Sequence, residues 1–156
     1  MMIEMKGNDG KGNIPERDEW ETPPKLFNIL NNQYKFTIDC CANKYNSKLS
    51  SYSDNFENVH HINVGWMNPP FSKARLMFEH FFKVTESGVA IYRCDNLETK
   101  IWQDVILQHA NWIFIPKGRV SYKGLKGSGS RFPSALIGVN IKPPENINGK
   151  LLIVNK

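Results

Sequence analysis

Cysteine is scarce in this chain, and the few residues present are badly placed for cross-linking or for metal. There are 3 in 156 residues, an odd number, and Cys40 and Cys41 are adjacent. Neighbouring cysteines seldom pair with each other, and no Cys-x-x-Cys or His/Cys ligand spacing occurs. Reduced thiols and no zinc are therefore expected. Long apolar runs are also missing: nothing approaches the ~20 residues of a membrane span, and no signal-peptide core stands at the start. An intracellular protein is expected. A surplus of acid is absent too, since Lys and Arg outnumber Asp and Glu by 20 to 15, giving a formal net charge of +5. That excess favours a polyanionic partner without requiring one.

What remains is an ordinary globular composition, 40% hydrophobic and 22% charged, in a length that suits one compact domain. Residues 1–12 are polar and without period, which predicts a mobile leader followed by a domain over 13–156. Along "ETPPKLFNILNNQY" a helix is expected, with Thr22 as N-cap, Pro23 at the first helical position, and Leu26, Phe27 and Leu30 on one face. "KFTIDCCA" reads as a short buried strand ending at Asp39, and "NKYNSKLSSYSDNFEN" as loop. "INVGWM" is a second strand.

From Ser72 the pattern turns helical and is expected to stop at Gly88. "VAIYRC" then reads as a strand, "LETKIWQDVILQHA" as an amphipathic helix, and "WIFIP", "SALIGVNI" and "LLIV" as further strands. Lys123 to Arg131, basic and rich in glycine, reads as a mobile loop. The order predicts an α/β domain whose sheet is parallel in its first part and antiparallel near the C-terminal end.

Within this frame "GWMNPPFSK" stands out. Pro69 and Pro70 remove two backbone donors and fix two φ angles, and Asn68 is pushed out of the helical region. A carboxamide and an aromatic ring, Phe71, are thus held rigidly at a strand end. Taken alone the segment serves equally as a stiff turn, and Asp39 equally as a cap. In an open α/β sheet, however, ligands bind beyond the carboxyl ends of the strands, and both segments lie at such ends.

Taken together, "DEWETPPKLF", "IDCCANKYNSK", "GWMNPPFSK", "WQDVILQHANWIFIPKGRVSY" and "RFPSALIGV" resemble the short DNA N-6-adenine methyltransferases of bacteriophages and prophages. That family shows a Trp-x-Thr-Pro segment, an Asp-Pro-Cys-Ala-like turn, an Asn-Pro-Pro-aromatic motif and a Phe-Pro-Ser-Ala strand in the same order. The resemblance implies a Rossmann-like fold and transfer of a methyl group from S-adenosylmethionine to the exocyclic amine of adenine in DNA. The amine is a poor nucleophile because its lone pair is delocalised into the ring. Two acceptors on its N–H bonds favour a pyramidal nitrogen, and the resemblance gives these roles to the Asn68 side-chain oxygen and the Pro69 carbonyl. Pro70 contributes rigidity, and Phe71 a stacking face for a base turned out of the duplex.

For the cofactor, the resemblance implies Asp39 and the backbone around Cys40, Cys41 and Ala42, with Trp20, Thr22 and Pro23 closing the pocket. This chain departs from the family's usual turn, with Cys40 where proline is common, and it lacks a Phe-x-Gly-x-Gly loop. Asp54 is either a ribose-binding acid or a solvated loop residue. Ser72, Lys73, Arg119, Lys123, Lys126 and Arg131 are expected DNA contacts, the basic loop being otherwise a solvated one. His60 and His61 read as surface residues.

The core motif also permits methylation of RNA or protein glutamine, and a relative that binds DNA or protein without catalysis is the reading from another class. A monomer or small homo-oligomer in the cytoplasm of a phage-bearing bacterium completes the expectation, with no metal and no membrane.

Overall fold

The computed structural model describes residues 20–124, 127–129 and 132–155. Helix α1 spans Pro24–Tyr34 and strand β1 Ile38–Asp39. Strand β2 (Ile62–Met67) is followed by helix α2 (Ala74–Val84) and strand β3 (Thr85–Arg93). Helix α3 begins as a π-helical run, Ile101–Ile106, and continues as one α-helical turn, Leu107–His109. The remaining strands are β4 (Trp112–Pro116), β5 (Tyr122–Gly124), β6 (Gly127–Gly129), β7 (Ser134–Val139) and β8 (Gly149–Ile153).

Six strands form one mixed sheet in the order β1-β2-β3-β7-β4-β8. β1, β2 and β3 are parallel, while β7 pairs antiparallel with both β3 and β4, and β8 antiparallel with β4. The expected change from parallel to antiparallel thus falls at β7. Strand alternation sends side chains to two separate cores. Trp66, Val89, Ile91 and Leu136 pack with Phe27 and Leu30 of α1. Met67, Ala90, Tyr92 and Ile137 pack with Met77, Phe78 and Phe81 of α2 and with Trp102, Val105 and Ile106 of α3. The result is helix, sheet and helix in three layers.

Four local expectations change. Thr22 does not cap α1: Pro23 occupies the N-cap position without a side-chain hydrogen bond. With Pro24 inside the first turn as well, one of the N–H groups a cap would satisfy is missing. Gly88 does not end α2, which stops at Val84; it lies inside β3, opposite Gly65 of β2. The amphipathic segment is helical over a shorter span than its pattern suggests and is largely π-wound. Within the glycine-rich segment, expected to be loop, β5 and β6 instead pair antiparallel. The expected leader, residues 1–12, lies outside the described residues.

The glycine pair matters to the site, because β2 and β3 deliver their ends to it. A Cβ on Gly88 would stand 2.8 Å from both the Gly65 carbonyl oxygen and the Phe81 ring. Gly88→Ala is expected to destabilise the fold by about 1–3 kcal/mol through overpacking, measured by urea unfolding. Retention of full stability would show that β2 and β3 can separate slightly at no cost.

Candidate active site

Because β1, β2 and β3 run in parallel, their carboxyl ends fall on one edge of the sheet. Asp39 is in register with Trp66, and Met67 with Ala90. Asp39–Ala42, Asn68–Phe71 and Arg93–Asp95 are therefore neighbours. After Met67 the two prolines carry the chain away from β3, and Phe71–Lys73 forms a single 3-10 turn leading into α2.

Asn68 is half-buried, Pro69 is buried, and the Asn68 Nδ2 donates to the Trp20 carbonyl at 3.1 Å. A carbonyl only accepts, so this contact fixes the orientation of the amide and turns Oδ1 away from Trp20. Two clefts meet at this side chain. The larger, about 250 Å³, is bordered by Cys41, Ala42, Asp54, Asn68, Pro70 and Lys73. The smaller, about 30 Å³, is bordered by Trp20, Thr22, Asp39, Lys48, Trp66 and Asn68.

The smaller cleft is rich in buried acceptors. Thr22 is 1% exposed, and its hydroxyl has no hydrogen-bond partner among the described residues. Asp39 is 3% exposed. Burial raises its carboxyl pKa to about 6, against the opposing effects of the Lys48 N–H and charge and the Cys41 N–H. The Lys48 N–H lies 2.9 Å from the Asp39 carboxylate, while the Lys48 ammonium pairs with Glu21, also at 2.9 Å.

The backbone N–H groups of the Cys40–Ala42 segment are taken up internally. That of Cys40 donates to Trp66 and that of Ala42 to Ser53, and that of Cys41 donates to Asp39. Cys40 itself is buried in the sheet core. What this segment presents to the clefts is Cys41 and Ala42. Burial pushes the Cys41 thiol pKa far up, so it stays protonated.

Phe71 sits in an aromatic group. Its ring centroid lies 5.3 Å from Phe132, 6.2 Å from Tyr92 and 6.5 Å from Trp20. Trp20 stacks in turn on Phe132 and Tyr122. The segment carrying Trp20 is pinned by paired backbone bonds between Glu21 and Lys123 of β5. Of the expected DNA contacts, Ser72, Lys73, Arg119 and Lys123 are exposed, and Lys73 borders the larger cleft. Lys126 and Arg131 lie outside the described residues. His60 is exposed, and His61 bonds Glu86 at the opposite edge of the sheet, where β2 begins. Among the described residues no helix is long and apolar enough to cross a membrane, and no group of His, Cys, Asp and Glu can hold a metal ion.

With Asn-Pro-Pro-Phe at the junction of two clefts, the comparison with known families is decisive. A family model described as DNA N-6-adenine-methyltransferase (Dam) matches residues 10–150. The chain belongs to this family. No curated protein and no solved structure matches it.

The Dam family is one of DNA adenine methyltransferases, which generally use S-adenosylmethionine. Membership agrees with the resemblance carried by the motifs. It leaves several residues that those motifs did not single out: Lys48, Glu21, Arg93, Asp95, Tyr122 and Phe132. Phe132 was within reach, since it opens the Phe-Pro-Ser-Ala segment. Lys48 lies in a loop without periodicity, and only the fold brings it to Asp39.

The raised pKa of Asp39 gives a signed expectation. Its folded value, about 6, exceeds the 3.8 of an ordinary aspartate. Its contribution to stability is therefore fully present below about pH 4 and is lost as pH rises through 6. Asp39→Asn removes the buried charge, so it is expected to be more stable than the native chain at pH 8 by roughly 1–3 kcal/mol, with the advantage vanishing below pH 4. Urea unfolding across that range measures it. A variant less stable at pH 8 would mean that the carboxylate's hydrogen bonds outweigh its desolvation.

Proposed function

We propose that this protein transfers a methyl group from S-adenosylmethionine to the exocyclic amine of adenine in DNA, with the base turned out of its stack. The observation that carries the reading is the orientation of Asn68. Its amide nitrogen is held by the Trp20 carbonyl, so its oxygen is available as an acceptor where the two clefts meet. The fold is read as a Rossmann-like methyltransferase domain.

The lining of the clefts fits the cofactor. S-Adenosylmethionine carries an ammonium group, ribose hydroxyls and an adenine amine, all donors. The unpartnered Thr22 hydroxyl and the Asp39 carboxylate are acceptors in the smaller cleft, and Asp54 is one at the larger. A cationic donor beside Asp39 would offset the desolvation that now raises its pKa. Trp20 and Pro23 belong to the segment covering this side, and Cys41 and Ala42 supply its floor. Bound there, S-adenosylmethionine would supply an electrophilic methyl group.

The residues of this chain do the positioning. Asn68 Oδ1 and the Pro69 carbonyl accept the two amine hydrogens, which directs the nitrogen lone pair out of the base plane. Pro69 and Pro70 hold both acceptors before the substrate arrives, so little reorganisation is needed. Phe71 stacks on the base, an interaction worth ~1–3 kcal/mol. No general base is called for, because the amine sheds its proton after methyl transfer. Ser72, Lys73, Arg119 and Lys123, with Lys126 and Arg131, would meet phosphates. A phage or prophage origin, and protection of phage DNA against restriction, follow from the resemblance of the motifs.

Incubation with labelled cofactor and a panel of DNA, RNA and glutamine-bearing peptide tests the reading, with label expected in DNA alone. Label in RNA or peptide would move the assignment within amino-methyl transfer, and label in none would favour a binding protein. In the same assay Asn68→Ala is expected to lower turnover ~100- to 1,000-fold, the usual cost of one preorganised acceptor or donor, with cofactor affinity little changed by calorimetry. Near-native turnover would remove Asn68 from the chemistry.

A further inference from the structure

Arg93 closes β3 and is 4% exposed, an unusual place for a guanidinium. Its Nε donates to Asp95 Oδ1 at 2.8 Å and its Nη2 to Asp95 Oδ2 at 2.6 Å, a two-pronged pairing. The guanidinium carbon lies 4.7 Å from the centroid of the Phe132 ring and 5.9 Å from that of Phe71. Its backbone is pinned as well, since Trp102 Nε1 of α3 donates to the Arg93 carbonyl at 3.1 Å.

Only Arg93 of this pair is buried; Asp95 is partly exposed, and solvent on the carboxylate side screens the attraction, so the pair is a modest source of stability. What it supplies is direction. The planar fork of arginine, locked by a carboxylate, is held in one plane, and a cation set over ring faces restrains their tilt. Here the nearer ring is Phe132, which packs 5.3 Å from Phe71, so the cation bears on Phe71 both directly and through Phe132. The carboxylate that locks the fork stands two residues further along the same chain.

We infer that Arg93, locked by Asp95, is a positioning residue that holds the Phe71 ring at the tilt in which it receives the target base. The inference rests on the reading of Phe71 as the stacking face. The pair reaches Phe71 through contacts wholly within the protein, so it acts on the placement of the base and not on its capture. Lysine cannot replace it, because a point charge on a flexible stem has neither the fork nor the plane.

The test is a double-mutant cycle in single-turnover methylation of unmethylated plasmid DNA, with Arg93→Lys, Phe71→Ala and both together. Arg93→Lys alone is expected to slow methyl transfer ~10- to 100-fold, the scale of a misplacement of about 1 Å at a reacting centre. DNA affinity and cofactor affinity should stay close to native. In the Phe71→Ala background the same change should add little, because the ring it acts on is gone. Losses that multiply in full would overturn the inference, as would a loss confined to DNA or cofactor affinity. Phe71→Ala with native activity would instead remove the stacking reading beneath it. Should Arg93→Lys fail to fold, Asp95→Asn carries the same cycle, since it leaves the guanidinium in place and releases its lock, and the same two patterns decide.

Discussion

The hydrogen bond from the Asn68 amide to the Trp20 carbonyl is the contact on which the rest of the site depends. It joins two segments far apart in sequence, the strap before α1 and the rigid end of β2. It also decides which end of the Asn68 amide points into the clefts. Because Trp20 is stacked on Phe132 and Tyr122, and Glu21 is bonded to Lys123 and Lys48, the strap is held from several sides. A rotation of this one amide would exchange an acceptor for a donor, and the geometry proposed for the adenine amine would be lost.

The site is also where the fold departs from its own economy. Elsewhere the buried surface is mostly apolar, with Trp66, Phe78, Phe81 and Trp102 closely packed against the sheet, although Thr85 at the start of β3 also buries an unpartnered hydroxyl. At the ends of β1 and β3, by contrast, Asp39, Thr22 and Arg93 are buried polar groups. An unpartnered hydroxyl and a carboxylate with a raised pKa each cost stability in the free protein. Such groups gain from a ligand that carries donors, so stability forgone in the free state becomes affinity in the bound state. Arg93 differs, since it is already paired with Asp95 of the same chain, and its effect is exerted on a ring.

Much of the frame was legible in the residues themselves. "INVGWM" and "WIFIP" form β2 and β4 over those same residues, because short apolar runs bounded by turn residues have few alternatives. Gly88 was misleading: a glycine after a helical pattern suggests a C-cap, whereas here the requirement was a close approach between neighbouring strands. Thr22 misled in part: it does not cap α1, while it does border the smaller cleft, as its second expected role required. The break in chain direction at Asn68–Phe71, between β2 and α2, was legible because prolines fix local geometry in the sequence itself. Lys48 and the Arg93–Asp95 clamp were not, since a loop without periodicity brings Lys48 back to Asp39, and the clamp is recognisable only once Arg93 is found buried against Phe132 and Phe71. The pairing of β5 with β6 was hidden because a basic, glycine-rich stretch without apolar alternation reads as loop.

The central claim is that the acceptors at Asn68 and Pro69 select an exocyclic amine of adenine. It is tested most directly by identifying the methylated nucleoside. DNA lacking prior methylation, incubated with the protein and cofactor, digested to nucleosides and separated by liquid chromatography with mass spectrometry, should yield N-6-methyladenosine in its deoxy form and no methylated cytidine. Methylation at the exocyclic amine of cytosine would show that the two acceptors do not choose the base. Methylation at a ring carbon would contradict the account outright.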